Sequence, residues 1–338
     1  MIPSSDPPSR RPGVLAAHSV HEFVFSVPDL AAARQFYESF GLDVRDEDGA
    51  LGLYTFGNPH RWGRILRGAV KRLLWITWGV FADDLKAFHT RIETLHVPRI
   101  PRPVQAGTEG DFWIAGPDGL AHQIVVAEKT SPSHKAARIF PPESSTRGRS
   151  PHRNQIWTVQ PRRLSHILLF SPDVDLGLAF YENVLGLRLS DRSGSIIAFI
   201  HTPHGSDHHL IAIAKSGGYG LHHCSWDVAS IDDVGLGSQQ MANAGHPRGW
   251  GLGRHVLGSN YFRYVRDPWG GYAEYSFDID YVSANVDWPA GDYPPEDSLY
   301  VWGPPVPDDF IVNYELQSDP ECSGLADPRQ SGPVPADQ

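Results

Sequence analysis

The stretch that decides the fold is LFSPDVDLGLAFYENVLGLRL, at residues 169–189. A short apolar strand pattern runs into Ser-Pro-Asp, and the apolar residues that follow recur at helical spacing up to a glycine, which is typical of a helix end. A second copy, FSVPDLAAARQFYESFGLDV, stands at residues 25–44. Pro28 matches Pro172, and a Phe-Tyr-Glu triplet follows at the same spacing in both copies. The chain therefore carries an internal repeat.

The repeat extends well beyond this strand and helix. Trp78-Gly79-Val80 matches Trp226-Asp227-Val228, and the turn GPDG at 116–119 matches DPWG at 267–270. Each copy shows a strand, a helix and several strands, and then the same order again. The sequence thus predicts an α+β fold of tandem βαβββ modules, four of them in two domains.

Length and composition agree with two domains, because the chain has 338 residues and a domain averages ~150. Segments rich in Pro, Ser and charged residues separate the repeats. They predict an N-terminal extension at 1–17, a first domain at 18–128, a linker at 129–160, a second domain at 161–278 and a Pro-rich C-terminal extension at 279–338. In the last extension, WGPPVPDDF is expected to cover either the mouth of a site or a subunit interface.

Charge and apolar patterning exclude several classes of function. The 39 acidic residues outnumber the 29 Lys and Arg and give a net charge of -10, which argues against nucleic-acid binding. No apolar run approaches the ~18 residues of a membrane helix, and the first residues lack the apolar middle of a signal peptide. The two cysteines, Cys224 and Cys322, are too few for a disulfide scaffold and agree with a cytoplasmic location.

Three potential metal ligands stand at corresponding places in the second domain. His166 is on its opening strand, His223 on the strand that opens its second module, and Glu274 on its last strand. Two neutral imidazoles and one carboxylate leave open positions on a six-coordinate ion, an arrangement that suits non-haem Fe(II).

The repeat supplies an internal control for this set. A histidine on a strand is more often a packing residue than a ligand, so each of the three is weak evidence alone. The equivalent positions of the first domain hold Glu22, Trp75 and Gln123. Because packing does not demand His, His and Glu there, their joint occurrence in the second copy favours a metal site.

The segments LSHILLFSPDV at 164–174, HHCSWDV at 222–228 and DPWGGYAEYSF at 267–277 resemble the type I extradiol ring-cleavage dioxygenases of the vicinal oxygen chelate superfamily. The resemblance covers roughly residues 19–278. It implies that each domain is a curved, partly closed mixed β-sheet with helices outside. It also implies Fe(II), with Mn(II) as an alternative, and selects His223 over the adjacent His222 as a ligand.

The same resemblance assigns three further residues. SDHHLIAIA at 206–214 is similar to the strand that carries the acid–base histidine, which the apolar register places at His209, with His208 as the rival. GRHVLGSNYFRYVRD at 253–267 is similar to the stretch that contacts the substrate, here through His255 and Tyr264. The residues expected to shape the pocket are Ala198, Ile200, Trp250 and Leu257.

The implied function is extradiol cleavage of a catechol-type aromatic with insertion of both atoms of O2, giving a semialdehyde or keto-acid. The second domain is then the catalytic, metal-binding one, the first is non-catalytic, and the enzyme is expected to be a homo-oligomer. One alternative is a 4-hydroxyphenylpyruvate dioxygenase-like enzyme, which uses the same ligands but does not require His209, His255 and Tyr264. Another alternative is a metal-free binding protein of the bleomycin-resistance type, which would not need the metal ligands His166, His223 and Glu274. A glyoxalase-like isomerase is disfavoured, because Glu22 is the only carboxylate or imidazole among the three first-domain equivalents.

Overall fold

The computed structural model describes residues 9–106, 112–139, 148 and 150–317. A seven-stranded sheet comes from the first repeat, a ten-stranded sheet comes from the second repeat and the segment that follows it, and two further strands form a separate pair. None of the described helices has the length and apolar character of a membrane span. The predicted α+β fold is confirmed.

The first sheet has two helices packed on it through buried apolar side chains. Its elements are β1 (Ser19–Val27), α1 (Leu30–Ser39), β2 (Asp43–Glu47), β3 (Ala50–Tyr54), β4 (Gly63–Arg67), β5 (Arg72–Val80), α2 (Leu85–Thr94), β6 (Phe112–Ala115) and β7 (Ala121–Val126). The strand order is β2-β3-β4-β1-β5-β7-β6, so the opening strands of the two modules, β1 and β5, lie side by side.

The second sheet repeats this plan with longer strands in its second half. The elements of the second repeat, of which β11 lies outside this sheet, are β8 (Arg163–Ser171), α3 (Val174–Asn183), β9 (Arg188–Ser193), β10 (Ile197–His201), β11 (Ser206–Asp207), β12 (Ile211–Lys215), β13 (Gly220–Asp227), α4 (Ile231–Asn243), β14 (Gly249–His255), β15 (Tyr261–Arg266) and β16 (Tyr272–Phe277). Here β8 and β13 take the central places of β1 and β5.

Residues 279–317 wrap around the second sheet. Its elements are β17 (Tyr281–Val282), β18 (Gly291–Asp292), α5 (Pro295–Ser298), β19 (Tyr300–Trp302) and α6 (Tyr314–Gln317). The full order is β18-β9-β10-β12-β8-β13-β16-β15-β14-β19, so β18 and β19 form its two edges, while β17 pairs with β11. The predicted domain boundaries stay a prediction, and residues 1–8, 107–111, 140–147, 149 and 318–338, with Cys322, lie outside the described residues.

The Pro-Asp pair begins the first helix of both repeats. The side chains of Asp29 and Asp173 accept backbone N–H groups of the first turn of α1 and α3, at 2.8 and 2.9 Å. These are N–H groups that an α-helix leaves without an internal partner. Past the helix ends, Gly41 and Gly186 have φ values of 96° and 73°, a conformation that glycine adopts readily.

The sheet registers confirm the alignment of the two repeats at the positions compared above. In the first sheet, Glu22 of β1 and Gln123 of β7 lie opposite the same residue of β5. In the second sheet, His166 of β8 and Glu274 of β16 lie opposite the same residue of β13, Ser225. The two sets of positions are therefore equivalent in space.

One module departs from the predicted βαβββ order. Within its described residues, the second module of the first domain has β5, α2, β6 and β7, and a single bridge between Arg99 and Ile114 stands where a further strand was expected. This segment contains Pro98, Pro101 and Pro103. A proline cannot donate to a sheet ladder, so the pairing there stays at one bridge.

Buried contacts join the two repeats. The ring of Phe40 stacks on that of Tyr275 with centroids 3.8 Å apart, and Tyr275 Oη donates to the Phe40 carbonyl at 2.8 Å. Lys71 Nζ lies 2.6 Å from a carboxylate oxygen of Asp267, and both side chains are buried. Glu315 of α6 accepts backbone N–H groups from β5 and β13, at 2.8 and 3.0 Å. Buried contacts with the first repeat and with the C-terminal segment thus hold the strands of the second sheet in place.

Candidate active site

The three proposed ligands lie on neighbouring strands at the centre of the second sheet. His166 is on β8, His223 on β13 and Glu274 on β16. Alternate residues of a strand share a face, and these three side chains point to the same one. Their ligand atoms lie within 4.8 Å of one another, and all three residues are buried. The fold thus brings together residues that are far apart in the sequence.

Ser165 determines which ring nitrogen of His166 carries the proton. Its hydroxyl donates to Asp207 at 2.8 Å, so only oxygen lone pairs remain for Nδ1 of His166 at 3.2 Å. His166 therefore donates from Nδ1. In a neutral imidazole this leaves a lone pair on Nε2, which lies 3.2 Å from Oε2 of Glu274.

His222 and a backbone carbonyl determine which ring nitrogen of His223 carries the proton. Nε2 of His222 lies 2.7 Å from the Phe310 carbonyl oxygen, which can only accept. Burial lowers the pKa of His222 to about 4, so its Nδ1 has no proton and accepts from Nδ1 of His223 at 2.7 Å. A register shift between β13 and β8 at this point lets the two adjacent rings meet. His223 is left with a lone pair on Nε2.

Three lone pairs therefore converge with no proton between them. Oε2 of Glu274 is 3.2 Å from Nε2 of His166 and 3.5 Å from Nε2 of His223. Oε2 of Glu274 and Nε2 of His223 are both buried and have no hydrogen-bond partner among the described residues, whereas Asn260 donates to the other carboxylate oxygen at 3.1 Å. Unpaired polar atoms in the interior are costly. A divalent cation would satisfy all three atoms, so these residues fit a metal ion.

A cavity of about 190 Å³ adjoins this cluster. In the described part of the chain, no Arg, Lys, Asp or Glu lines it, and an apolar wall with a few polar groups is typical of a small-molecule site. The segment after residue 278 supplies part of the wall, including Phe310 at the end of WGPPVPDDF. The apolar lining residues are Leu168, Phe170, Ile196, Ile197, Phe199, Ala214, Leu257, Pro295, Leu299, Phe310 and Ile311.

The expectation that Ala198 and Ile200 shape the pocket is wrong. Both are buried on β10, but the lining residues of that strand are Ile197 and Phe199. Neighbouring residues of a strand point to opposite faces, so the sequence prediction chose the wrong face. Leu257 lines the cavity as expected.

Of the adjacent histidines 208 and 209, His209 lines the cavity. Its ring centroid lies 4.1 Å from that of His166. His208 is directed away, with Nε2 2.8 Å from a carboxylate oxygen of Asp191. This geometry supports the choice of His209 over His208 for contact with a substrate.

His255 and Tyr264 form a hydrogen-bonded pair on the cavity wall. His255 donates from Nδ1 to the Leu299 carbonyl at 2.7 Å, so its Nε2 accepts from the Tyr264 hydroxyl at 2.9 Å. The lone pairs of the Tyr264 oxygen then remain for another donor. Trp250, also expected in the pocket wall, does not line the cavity but stacks on Tyr264 with centroids 5.6 Å apart.

Burial dominates the electrostatics of the site. It lowers the pKa of His209 and of His223 well below the ordinary imidazole value, and neighbouring imidazoles lower both further. Burial alone would raise the pKa of Glu274, but the nearby imidazoles of His166 and His255 outweigh it, and that pKa lies below its ordinary value. At neutral pH Glu274 is therefore a carboxylate and His223 a neutral imidazole, the forms that bind metals.

The equivalent positions in the first domain are arranged differently. Glu22 pairs with Arg61, whose guanidinium also lies 2.7 Å from Glu47. Trp75 packs in a small apolar cluster with Val24 and Trp113, and Gln123 accepts a hydroxyl hydrogen bond at 2.9 Å. Among the described residues, the His, His and Glu of the second domain form the only group with metal-binding spacing. In the first domain the guanidinium of Arg61 already pairs with the carboxylates of Glu22 and Glu47.

Several residues that organise the site were not predicted. Asn260 lies within the stretch that carries His255 and Tyr264, so its position offered a signal. Asp207 is next to the SDHH pair, but nothing in the sequence links it to the ligand strand. The carbonyls of Leu299 and Phe310 act through the backbone, which leaves no sequence signal.

Comparison with known proteins agrees with this geometry. The model of the glyoxalase/bleomycin resistance protein/dioxygenase superfamily matches residues 163–275. Metapyrocatechase 2 from Cupriavidus necator is 47% identical over 312 residues, covering 92% of this chain and 96% of that protein.

Two solved structures have the same fold. One is a Mn(II)-bound glyoxalase from Novosphingobium aromaticivorans, with a TM-score of 0.69 and 23% identity over 87% of this chain and 94% of that one. The other is homoprotocatechuate 2,3-dioxygenase from Arthrobacter globiformis, with a TM-score of 0.69 and 19% identity over 91% and 95%. The family assignment depends on the first relative, which matches almost end to end. This chain belongs to the type I extradiol ring-cleavage dioxygenases of the vicinal oxygen chelate superfamily.

Proposed function

We propose that this protein is an Fe(II)-dependent dioxygenase that cleaves a catechol-type ring in the extradiol position. Both atoms of O2 enter the product, a ring-opened semialdehyde or keto-acid. The observation that carries the proposal is the convergence of three unprotonated ligand atoms beside an apolar cavity. The relative named metapyrocatechase 2, at 47% identity, supports it.

The metal is proposed to be held by His166, His223 and Glu274, with Mn(II) as the alternative to Fe(II). When bound, the ion supplies a Lewis acid that promotes loss of the catechol protons and a centre at which the ring and O2 are held together. The protein's own part is to fix the ligand tautomers through Ser165 and His222, as described above.

His209 is proposed as the acid–base residue. It lines the cavity next to His166, and its low pKa leaves it neutral and able to accept a proton from a substrate hydroxyl. His255 and Tyr264 are proposed to contact substrate oxygens, Tyr264 directly through the free lone pairs of its oxygen and His255 through the Nε2 atom that holds the Tyr264 hydroxyl. A 4-hydroxyphenylpyruvate dioxygenase-like enzyme would not require these three residues around the cavity.

The lining also bears on the substrate. Since no described lining residue is a Lys or Arg, a substrate carboxylate would lose its hydration without gaining a cationic partner. We therefore expect catechols with uncharged, apolar substituents to be preferred over carboxylated ones.

The test is oxygen uptake by anaerobically Fe(II)-loaded protein with a panel of unsubstituted, alkyl-substituted, aryl-substituted and carboxylated catechols. One O2 should be consumed per ring opened, with a yellow product that contains two labelled oxygens when 18O2 is used. Matched loading with Mn(II) tests the metal. Absence of uptake with every catechol, or cleavage between the two hydroxyl-bearing carbons, would overturn the proposal.

We further propose that the enzyme is a homo-oligomer in the cytoplasm, in line with its low cysteine content. Light scattering of the purified chain and fractionation of the producing cell test these two points.

A further inference from the structure

His208 is a fully buried histidine for which the proposed reaction has no direct use. Its backbone N–H donates to the Asp280 carbonyl at 2.6 Å. Its ring packs edge-on against Trp288, with centroids 5.3 Å apart. The ring therefore has one defined orientation, immediately behind His209.

Both ring nitrogens of His208 have partners. Nε2 lies 2.8 Å from Oδ2 of Asp191, and Nδ1 lies 3.1 Å from Nδ1 of His209. The second oxygen of Asp191 accepts the Gly291 backbone N–H at 2.8 Å, which holds the carboxylate in place. Asp191, His208 and His209 thus form a continuous hydrogen-bonded chain that ends at the cavity.

For a neutral His208, this chain determines where the proton of His209 resides. A carboxylate only accepts, so His208 donates from Nε2 to Asp191. With His208 neutral, its Nδ1 is a lone pair, and the bond between the two Nδ1 atoms requires His209 to donate. His209 then has its lone pair on Nε2, the nitrogen not engaged by His208, because the bond made by one ring nitrogen sets the state of the other.

We propose that His208 and Asp191 are positioning residues that hold His209 in the tautomer able to take a proton from the substrate. The inference rests on the acid–base role proposed above for His209. When Nε2 of His209 takes a hydroxyl proton, the Nδ1 proton of His209 passes to Nδ1 of His208, whose positive charge faces Asp191. His209 is then neutral with its proton on Nε2, the form that returns it, and the proton count is balanced.

The other imidazoles of the site support this reading, because each is fixed in the same manner. His166 donates to Ser165, which donates to Asp207, and His223 donates to His222, which is held by a backbone carbonyl. In all three cases a buried acceptor behind the ring leaves Nε2 unprotonated on the side of the site.

The decisive variant is Asp191→Asn. Because the Gly291 N–H holds Oδ1 as an acceptor, the amide NH2 of Asn would face Nε2 of His208 and force that nitrogen to accept. His208 would then carry its proton on Nδ1 and donate to His209, whose proton would move to Nε2. His208→Phe, which places an aromatic ring without nitrogens at this position, is the second variant. Asp233→Asn, at a buried carboxylate that accepts from Trp157 at 2.7 Å, is the matched control.

For Asp191→Asn and His208→Phe we expect unchanged iron content, a kcat reduced roughly 10²-fold, within the range of general acid–base catalysis, and a KM close to wild type. In metal-free protein labelled with 15N-histidine, the His209 signals, assigned with a His209→Gln variant, should report Nδ1–H in wild type and in Asp233→Asn but Nε2–H in Asp191→Asn.

Wild-type kcat in Asp191→Asn, or an unchanged His209 tautomer, would overturn the inference. A loss of kcat accompanied by an equal loss of iron would also overturn it, since that would show a structural role. Failure of the proposed function is distinguishable, because it would appear as an inactive iron-loaded wild type or a fully active His209→Gln. The ring signals test the positioning of His209 in either case.

Discussion

Replacing Glu274 by Gln is expected to abolish metal binding and at the same time to stabilise the metal-free protein. The carboxylate is fully buried, and its Oε2 lies 3.2 Å from a lone pair of His166 with no donor in between. In a Gln side chain, the oxygen can keep the hydrogen bond from Asn260 while the NH2 donates to Nε2 of His166. One new buried hydrogen bond adds roughly 0.5–1.5 kcal/mol.

The free energy of unfolding of the metal-free protein should therefore rise by roughly 1 kcal/mol. Metal affinity should fall by more than the 10- to 100-fold that loss of an outer partner costs, because a ligand itself is removed. Urea titration of the metal-free proteins gives the first quantity, and elemental analysis after Fe(II) loading gives the second.

Glu22→Gln is the matched control in the first domain. It weakens a charge-assisted contact with Arg61, whose side chain is 35% exposed, so the unfolding free energy should fall by roughly 1 kcal/mol. Iron content and catechol cleavage should stay near wild type. Iron retained by Glu274→Gln, or a stability change of the same sign in both variants, would refute the reasoning. Lost activity in a folded Glu22→Gln would mean that the first domain contributes to a site.

Three further predictions concern single groups. His209→Ala should bind iron like wild type but turn over roughly 10² to 10⁴ times more slowly, as measured by iron analysis and oxygen uptake; loss of iron would contradict its assignment. Lys71→Met should lower the free energy of unfolding by roughly 3–5 kcal/mol, because it leaves the buried Asp267 carboxylate without its partner at 2.6 Å, and adding Asp267→Asn should restore part of the loss in urea titrations. Burial lowers the pKa of His122 and of His201 to about 3, whereas unfolded imidazoles take protons near 6.5. Between pH values of about 3 and 6.5 the unfolded state thus binds more protons than the folded state. The free energy of unfolding should therefore decrease as the pH falls below about 6.5. A constant unfolding free energy from neutral to acidic pH would contradict this prediction.

The architecture could be predicted from the sequence because its signals are local and occur twice. Asp29 and Asp173 each follow a proline and cap a helix through contacts within one turn, and such short-range preferences are visible in any sequence. Because the domain is duplicated, His166 and Glu274 could be aligned with Glu22 and Gln123. The sheet registers confirm that these positions are equivalent. Comparison of the two copies separated residues that packing requires from residues that it does not.

Which face of a strand points into the cavity was harder to predict from the sequence. Ala198 and Ile200 belong to a run in which both faces of β10 are apolar, so alternation gave no information, and only packing decided that Ile197 and Phe199 line the cavity. A strand buried on both sides has no polar face to mark its direction.

What only the tertiary structure decided is the state of the site. The carbonyls of Leu299 and Phe310 set the ring protons of His255 and, through His222, of a proposed ligand. In the first domain, Arg61 pairs with Glu22, the residue at the position equivalent to His166. A backbone carbonyl has the same chemistry in every residue, and a contact between distant segments depends on how the whole chain packs. The sequence by itself therefore determined which side chains are present, and the fold determined which of their atoms are free to act.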